Sequence, residues 1–289
     1  MNSRYGLWVS RRSWPAESSA IAAAAAEVEA LGYGSLWIGG SPPDDLRLPE
    51  AVLAGTTSLV VGTSIVDIWS ADPAVLATSH QRIRDSHPGR FYLGVGSGHA
   101  PTAEAQGQAY VRPLSRLRQF LDALGDRVPA EELMIAALGP KALELAATRT
   151  AGALPYLVPA AHTADARAIL SPGLGKLLIP EQKVVLGTDE RQARAAGRRG
   201  TKQYLRLPNY LNNLRRYGLT DADFAGDGSD RWVDTLVAWG DGPAVKRGVD
   251  AHLDAGADHV AVQVLPVEPR TGLPRAEWAA VAEVLLADA

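Results

Sequence analysis

The chain has no cysteine among its 289 residues. That excludes disulfides, thiolate nucleophiles and cysteine-ligated metals. It also lacks any run of about 20 apolar residues, and its opening stretch, MNSRYGLWVSRRSW, has no apolar core of the kind a secretory leader needs. A cytoplasmic protein with no membrane contact is therefore expected. Neither sign of charge dominates. Lys and Arg number 29 against 32 Asp and Glu, a net charge of −3, which argues against nucleic acid or an anionic membrane as the main partner. His80, His87, His99, His162, His252 and His259 show neither H-x-H nor H-E-x-x-H spacing, so no metal site is expected. No Pro/Ser-rich linker or low-complexity tract interrupts the chain, and a single domain over 1–289 is predicted.

What is present is a regular alternation of short β-rich runs with longer Ala/Leu/Arg stretches, the pattern of parallel βαβ units. Strands are predicted at 5–10, 35–40, 58–69, 90–96, 132–138, 153–158, 182–187 and 258–265. Helix signals fall between them: Asp72-Pro73 is an N-cap followed by proline at the first helical position, Gly139-Pro140 opens another helix, and Gly32 and Gly256 close two. Residues 188–240 are longer than a simple crossover needs. The expected architecture is an α/β fold, a (β/α)8 TIM barrel with an inserted helical segment before the eighth strand.

The stretch RFYLGVGSGHAP (90–101) ends its strand in small residues and then presents an imidazole. A dinucleotide fingerprint fits poorly: Gly94 and Gly96 begin G-x-G-x-x-G, but His99 holds the third glycine position, and 112–118 offers arginines where an acidic residue belongs. A nucleophile elbow fails, because Val95 and His99 flank Ser97 where glycines are required. A barrel mouth fits, since active sites in such barrels sit at the C-terminal strand ends. Two further strand ends belong to the same mouth: GTSIVD (62–67), and AALGPK (136–141), where free N–H groups at a helix start would face an anion. Taken singly, each is better read as a bulge, a plain turn or a solvated loop residue; three at the same end of the strands favour a cofactor site.

Together GTSIVD, ADPAVLA (71–77), PGRFYLGVGSG (88–98), AALGPKALELAA and GADHVAVQVL resemble the bacterial-luciferase-like superfamily, in particular its coenzyme F420-dependent oxidoreductases. The resemblance spans essentially the whole predicted barrel. It implies a homodimer that moves a hydride to or from C5 of the deazaflavin on a small-molecule substrate. By position, Ser64-Ile65 is similar to the family's non-prolyl cis peptide, with the apolar side chain behind the ring. Asp67, Gly96, Ser97, Gly98 and His99 match positions lining the ring or its ribityl chain. Ala137, Leu138, Gly139 and Pro140 match the phosphate-binding turn. His99 is the candidate proton donor or acceptor, because an unperturbed imidazole titrates near operating pH, and Asp67 is the second choice.

The sequence departs from the glucose-6-phosphate dehydrogenases of that branch. They carry a histidine just after strand two and a glutamate at the end of strand four, where this chain has Gly39-Gly40 and His99. Sugar-phosphate chemistry is accordingly not carried over. Two alternatives stay open: an FMN-dependent luciferase-like monooxygenase or reductase, and a non-catalytic barrel that binds a flavin or deazaflavin. Trp69 and Tyr156 are candidate stacking residues or mouth packing. Arg191, Arg194, Arg198, Arg199, Lys202 and Arg206 are either a holder for an anionic cofactor tail or a solvated helix face.

Overall fold

The computed structural model describes residues 3–170 and 175–287. Eleven strands lie in one sheet: β1 (Tyr5–Ser10), β2 (Ser35–Gly39), β3 (Val60–Ser64), β4 (Val66–Asp67), β5 (Phe91–Gly96), β6 (Leu133–Ile135), β7 (Gly152–Ala153), β8 (Leu177–Leu178), β9 (Glu181–Leu186), β10 (Val237–Gly240) and β11 (Val260–Val264). The order is β10-β9-β11-β1-β2-β3-β5-β6-β7-β8, with β4 beside β5, and every pairing is parallel. Only Ile179 and Pro180 separate β8 from β9, so the sheet curls back on itself. Backbone bonds from Ile179 N to Ala153 O (3.0 Å) and from Glu181 N to Pro155 O (2.9 Å) continue the ladder there.

The period of two along each strand sorts side chains into two layers. Leu7, Val9, Leu36, Ile38, Val61, Leu93 and Val95 pack outward against the helices in the largest apolar cluster. Trp8, Trp37, Met134, Leu154, Ile179 and Ala261 pack inside the curl, joined by Ile65, Tyr92 and Tyr156. Glycine makes room for the two indoles: a Cβ at Gly39 would penetrate Trp8, and one at Gly62 would penetrate Trp37. Helix starts follow the sequence signals. Asp72 accepts from Ala74 N (2.8 Å) and Val75 N (3.1 Å) ahead of Pro73, and Asp189, Ser229 and Asp241 cap three later helices in the same manner.

Several expected boundaries move. The third strand, read as 58–69, breaks at Ile65 into β3 and β4. The fifth and sixth shrink to three and two residues. Between β5 and β6 the chain forms two helices, the short Ala100–Ala105 and then Pro113–Leu124. The 188–240 stretch is not wholly helical, because its last four residues are β10, paired to β9. β8 also went unread, since two leucines after a Gly/Pro-rich stretch carry no periodicity. The excursion has an apolar cluster of its own, built on Tyr210, Leu214, Trp232, Val233 and Leu236 and anchored to the sheet through Leu157 and Val185.

Burial keeps His80 and His252 down to about 4 and His259 to about 3, which favours the neutral imidazole, and His80 Nε2 lies 3.2 Å from Glu132 Oε2. Among the described residues no helix is long and apolar enough to cross a membrane. No cluster of three His, Asp or Glu there could hold a metal ion.

The close approach of β3 and β5 yields a stability test. Thr63 Oγ1 donates to Gly94 O (2.7 Å) and accepts from Gly94 N (2.9 Å), and a methyl at Gly94 would overlap the Thr63 carbonyl. Gly94→Ala is expected to cost about 1–3 kcal/mol in urea unfolding. Gly139→Ala, with nothing within 4 Å of the added methyl, should change stability by less than about 0.5 kcal/mol.

Candidate functional site

The C-terminal ends of β3 to β6 bring most of the expected residues together. The Ser64–Ile65 peptide is cis, in agreement with the resemblance. Ile65 is half-buried against the interior cluster. A Cβ at Gly96 would lie 3.0 Å from Ile65 Cγ1 and 2.9 Å from Ala136 Cβ. Ile65, Gly96 and Ala136 thus form one small apolar wall across three strands.

Asp67 in β4 pairs with Gly96 in β5 and is buried. Its Oδ1 accepts from Trp69 N at 3.0 Å, while Oδ2 is buried with no hydrogen-bond partner. Burial pushes the carboxyl above its ordinary range, against the opposing pull of the Trp69 N–H. Gly98 adopts φ 50° and passes so close that a side chain there would collide with the Asp67 carboxylate, so glycine is required on both counts. Trp69 pins this loop, its Nε1–H donating to Ser97 O at 2.8 Å. Tyr110 Oη donates to Gly98 O at 3.3 Å, and Gln108 Nε2 donates to Trp69 O at 2.6 Å. Buried and tied in this way, Trp69 is a loop holder.

His99 occupies the N-cap position of the helix Ala100–Ala105 without a side-chain capping bond. Its ring is half-buried and Nδ1 has no partner. Burial pulls its pKa below the ordinary histidine value, which favours the neutral imidazole.

The turn after β6 is built as expected. Gly139 precedes Pro140, the first residue of the helix Pro140–Arg149, and makes no side-chain capping bond. Open space surrounds Gly139, and Lys141 is exposed beside it. His162 Nε2 lies 2.8 Å from Leu138 O and braces the turn. The Ala137 side chain packs in the outer cluster, so it brings backbone to this turn, and Ala136 is the residue that meets Gly96.

The far side of the mouth was largely missed. Tyr156 follows β7, and the excursion brings Tyr204 and Tyr210 beside it. Ring centroids run in a chain from His99 to Tyr210 (5.5 Å), Tyr204 (5.2 Å), Tyr156 (5.4 Å) and Trp8 (5.3 Å). The hydroxyls of Tyr156 and Tyr204 are 2.7 Å apart, and Tyr156 Oη donates to Gln263 Oε1 at 3.1 Å. Beneath them, Lys183 and Glu181 pair on β9 with Nζ 3.0 and 3.1 Å from the two carboxylate oxygens. The one available signal was E-Q-K at the start of the strand: residues two apart share a face.

The basic run is mostly engaged within the excursion. Arg194 pairs with Glu190, Asp230 and Asp234, Arg198 with Asp230, and Lys202 with Asp227. Arg199 donates to the carbonyls of Pro266 and Val267.

A family model described as luciferase-like monooxygenase matches residues 5–259. The chain is 28% identical over 162 residues to the 5,10-methylenetetrahydromethanopterin reductase of Methanolobus tindarius, covering 47% of this chain and 49% of that protein. It is 37% identical over 101 residues to the F420-dependent glucose-6-phosphate dehydrogenase of Mycolicibacterium smegmatis, covering 31% of this chain and 30% of that protein. The chain thus spans about half or less of the length of these curated relatives. Among solved structures, the coenzyme F420-dependent tetrahydromethanopterin reductase from Methanopyrus kandleri shares the fold, with a TM-score of 0.76 at 16% identity over 99% of both chains.

The buried Asp67 carboxyl carries a signed pH test. With its folded pKa raised, its favourable contribution is complete below the unfolded carboxylate value and is lost as pH rises through the folded one. Asp67→Asn should therefore melt higher than the parent at pH 7.5, with the gap closing below about pH 4; thermal unfolding across that range checks it.

Proposed function

Because the chain belongs to the luciferase-like monooxygenase family, we propose that it is an F420-dependent oxidoreductase acting on a small organic substrate. The observation that carries this reading is the apolar wall of Ile65, Gly96 and Ala136 beside two buried, unpartnered polar atoms, Asp67 Oδ2 and His99 Nδ1. A flat heterocycle with polar edges fits such a wall. The fold is read as eight strand-helix units, with β3 and β4 as one strand, β8 and β9 as another, and residues 188–240 as the insertion that contributes β10.

In this reading Ile65 would stand behind the ring, the backbone of Gly96 to Gly98 would line the ribityl chain, and the backbone N–H groups of Gly139 and Lys141 would hold the phosphate. Bound there, the deazaflavin supplies a carrier that gives or takes hydride at C5. The chain's own part is positional and protolytic. The sheet ends hold substrate against one face of the ring, and the Tyr156-Tyr204-Tyr210 side keeps water out. His99 Nδ1 takes the proton of an alcohol being oxidised, or returns it to a carbonyl being reduced; Asp67 is the second candidate for that role. Sugar-phosphate oxidation is disfavoured by Gly39, since Trp8 fills the space a larger side chain would need.

Parallel titrations of the purified protein with F420 and FMN test the cofactor. F420 is expected to bind at least about tenfold tighter, roughly 1.4 kcal/mol. Tight FMN binding with none for F420 would instead favour a flavin-dependent monooxygenase or reductase, and binding without turnover on any donor or acceptor would favour the non-catalytic reading.

Two substitutions probe the two ends of the site. Gly139→Asp puts a carboxylate where N–H groups meet the phosphate and should weaken F420 binding by about tenfold or more. Ile65→Asp should lose affinity or turnover while the protein stays folded, as circular dichroism and fluorescence titration would show.

A further inference from the structure

Lys183 is the one fully buried Lys or Arg among the described residues. Glu181 takes its charge at 3.0 and 3.1 Å, and Leu157 N–H donates to the same carboxylate at 3.3 Å. The rings of Tyr156 and Tyr204 cover Nζ at 4.1 and 5.5 Å from their centroids. The ion pair therefore presents a closed, electrically neutral base to the mouth, and tyrosine rings instead of an ammonium form the surface above it. Opposite, His99 adds another ring to the chain that runs to Trp8. Arg11, the cation at the β1 end, is exposed at the rim and donates its Nε–H to Gly40 O at 2.8 Å.

From this arrangement we infer that the substrate is an uncharged, ring-bearing molecule, and that phosphorylated or carboxylated analogues are rejected. The inference deepens the oxidoreductase reading and rests on it only for the identity of the neighbouring cofactor. An anion entering the mouth would lose its water, and the buried cation beneath the tyrosines, Lys183, is already paired with Glu181, a cost that neutral rings do not incur. Offset and edge contacts with the tyrosines favour a flat or alicyclic ring over a flexible polar chain. The directions of the ionisable groups agree: burial disfavours charge on both Asp67 and His99. With the Tyr156 proton donated to Gln263 and that of Tyr204 to Tyr156, the Tyr204 oxygen remains an acceptor suited to a hydroxyl on that ring.

The test is a matched pair of probes, 2-naphthol and 2-naphthyl phosphate, titrated calorimetrically into the protein with and without F420. Naphthol should bind at least about tenfold tighter than its phosphate. A folded Tyr204→Leu variant should lose about three- to tenfold of the naphthol affinity with little change for the phosphate. Equal or tighter binding of the phosphate overturns the inference, as does no binding of naphthol or an unchanged naphthol affinity in folded Tyr204→Leu. If that variant does not fold, the comparison of the two probes on the parent protein decides. Quenching of F420 fluorescence in the same samples separates the two claims. Naphthol preference without quenching removes the deazaflavin reading alone, and quenching without preference removes this inference alone.

Discussion

Two indoles inside the curl of the sheet govern where everything else can be. Trp8 and Trp37 are inward residues of adjacent strands, paired directly in register. Each lies where a neighbouring glycine has given up its side chain, Gly39 for Trp8 and Gly62 for Trp37. With Met134, Leu154 and Ile179 they form the buried apolar cluster of the interior. A filled interior leaves recognition to the rim, and the rim is where the strands lose regularity: β3 breaks at Ile65, β5 runs into Gly96 to Gly98, and β6 stops at Ile135. The indoles also explain glycines that a ligand does not need. Gly62 and Gly94 serve packing and a tight β3–β5 contact, whereas Gly98 serves the approach to Asp67.

How much of this could be read in advance depends on whether the signal was local. Asp72-Pro73, Gly139-Pro140 and the alternating runs of β1, β2 and β5 are local chemistry, and the structure follows them. Ile65, Asp67 and Gly96 to His99 also lay in short motifs, and the fold gathers them at one place. Tyr204, Tyr210 and Gln263 had no such signal, and Glu181 and Lys183 had only the shared strand face of E-Q-K. The tyrosines lie 21 and 27 residues beyond Lys183 in sequence, and only the return of β10 to β9 sets that excursion over the mouth. Strands of two or three residues, such as β7 and β8, fall below the length at which any period can be recognised. The basic run is the reverse case: its residues were visible as a block, but their partners Asp227, Asp230 and Asp234 come from the far end of the same excursion.

Charge is handled differently on the two sides of the mouth. Near β6 the backbone offers bare N–H groups at a helix start with Lys141 exposed, a place that welcomes negative charge. Near β9 the charge is present but already cancelled between Glu181 and Lys183. Burying such a pair gains little stability by itself, while removing one member would leave the other unpaired at considerable cost. The pair is thus a fixed feature of the wall, and it holds Tyr156 over the ammonium through the ring face.

The excursion from 188 to 240 has a core of its own, and most of that cluster comes from within it. Its contact with the sheet runs through β10 along β9 and through side chains such as Leu157, Val185, Tyr156 and Lys183, the last two meeting Tyr204. Changes to Leu205, Leu207, Leu211 or Phe224 would therefore reshape the surface above the mouth while the strands beneath stay as they are. The excursion is thus the part of the molecule whose side chains can be exchanged to change what the mouth accepts without refolding the strands that hold the wall in place.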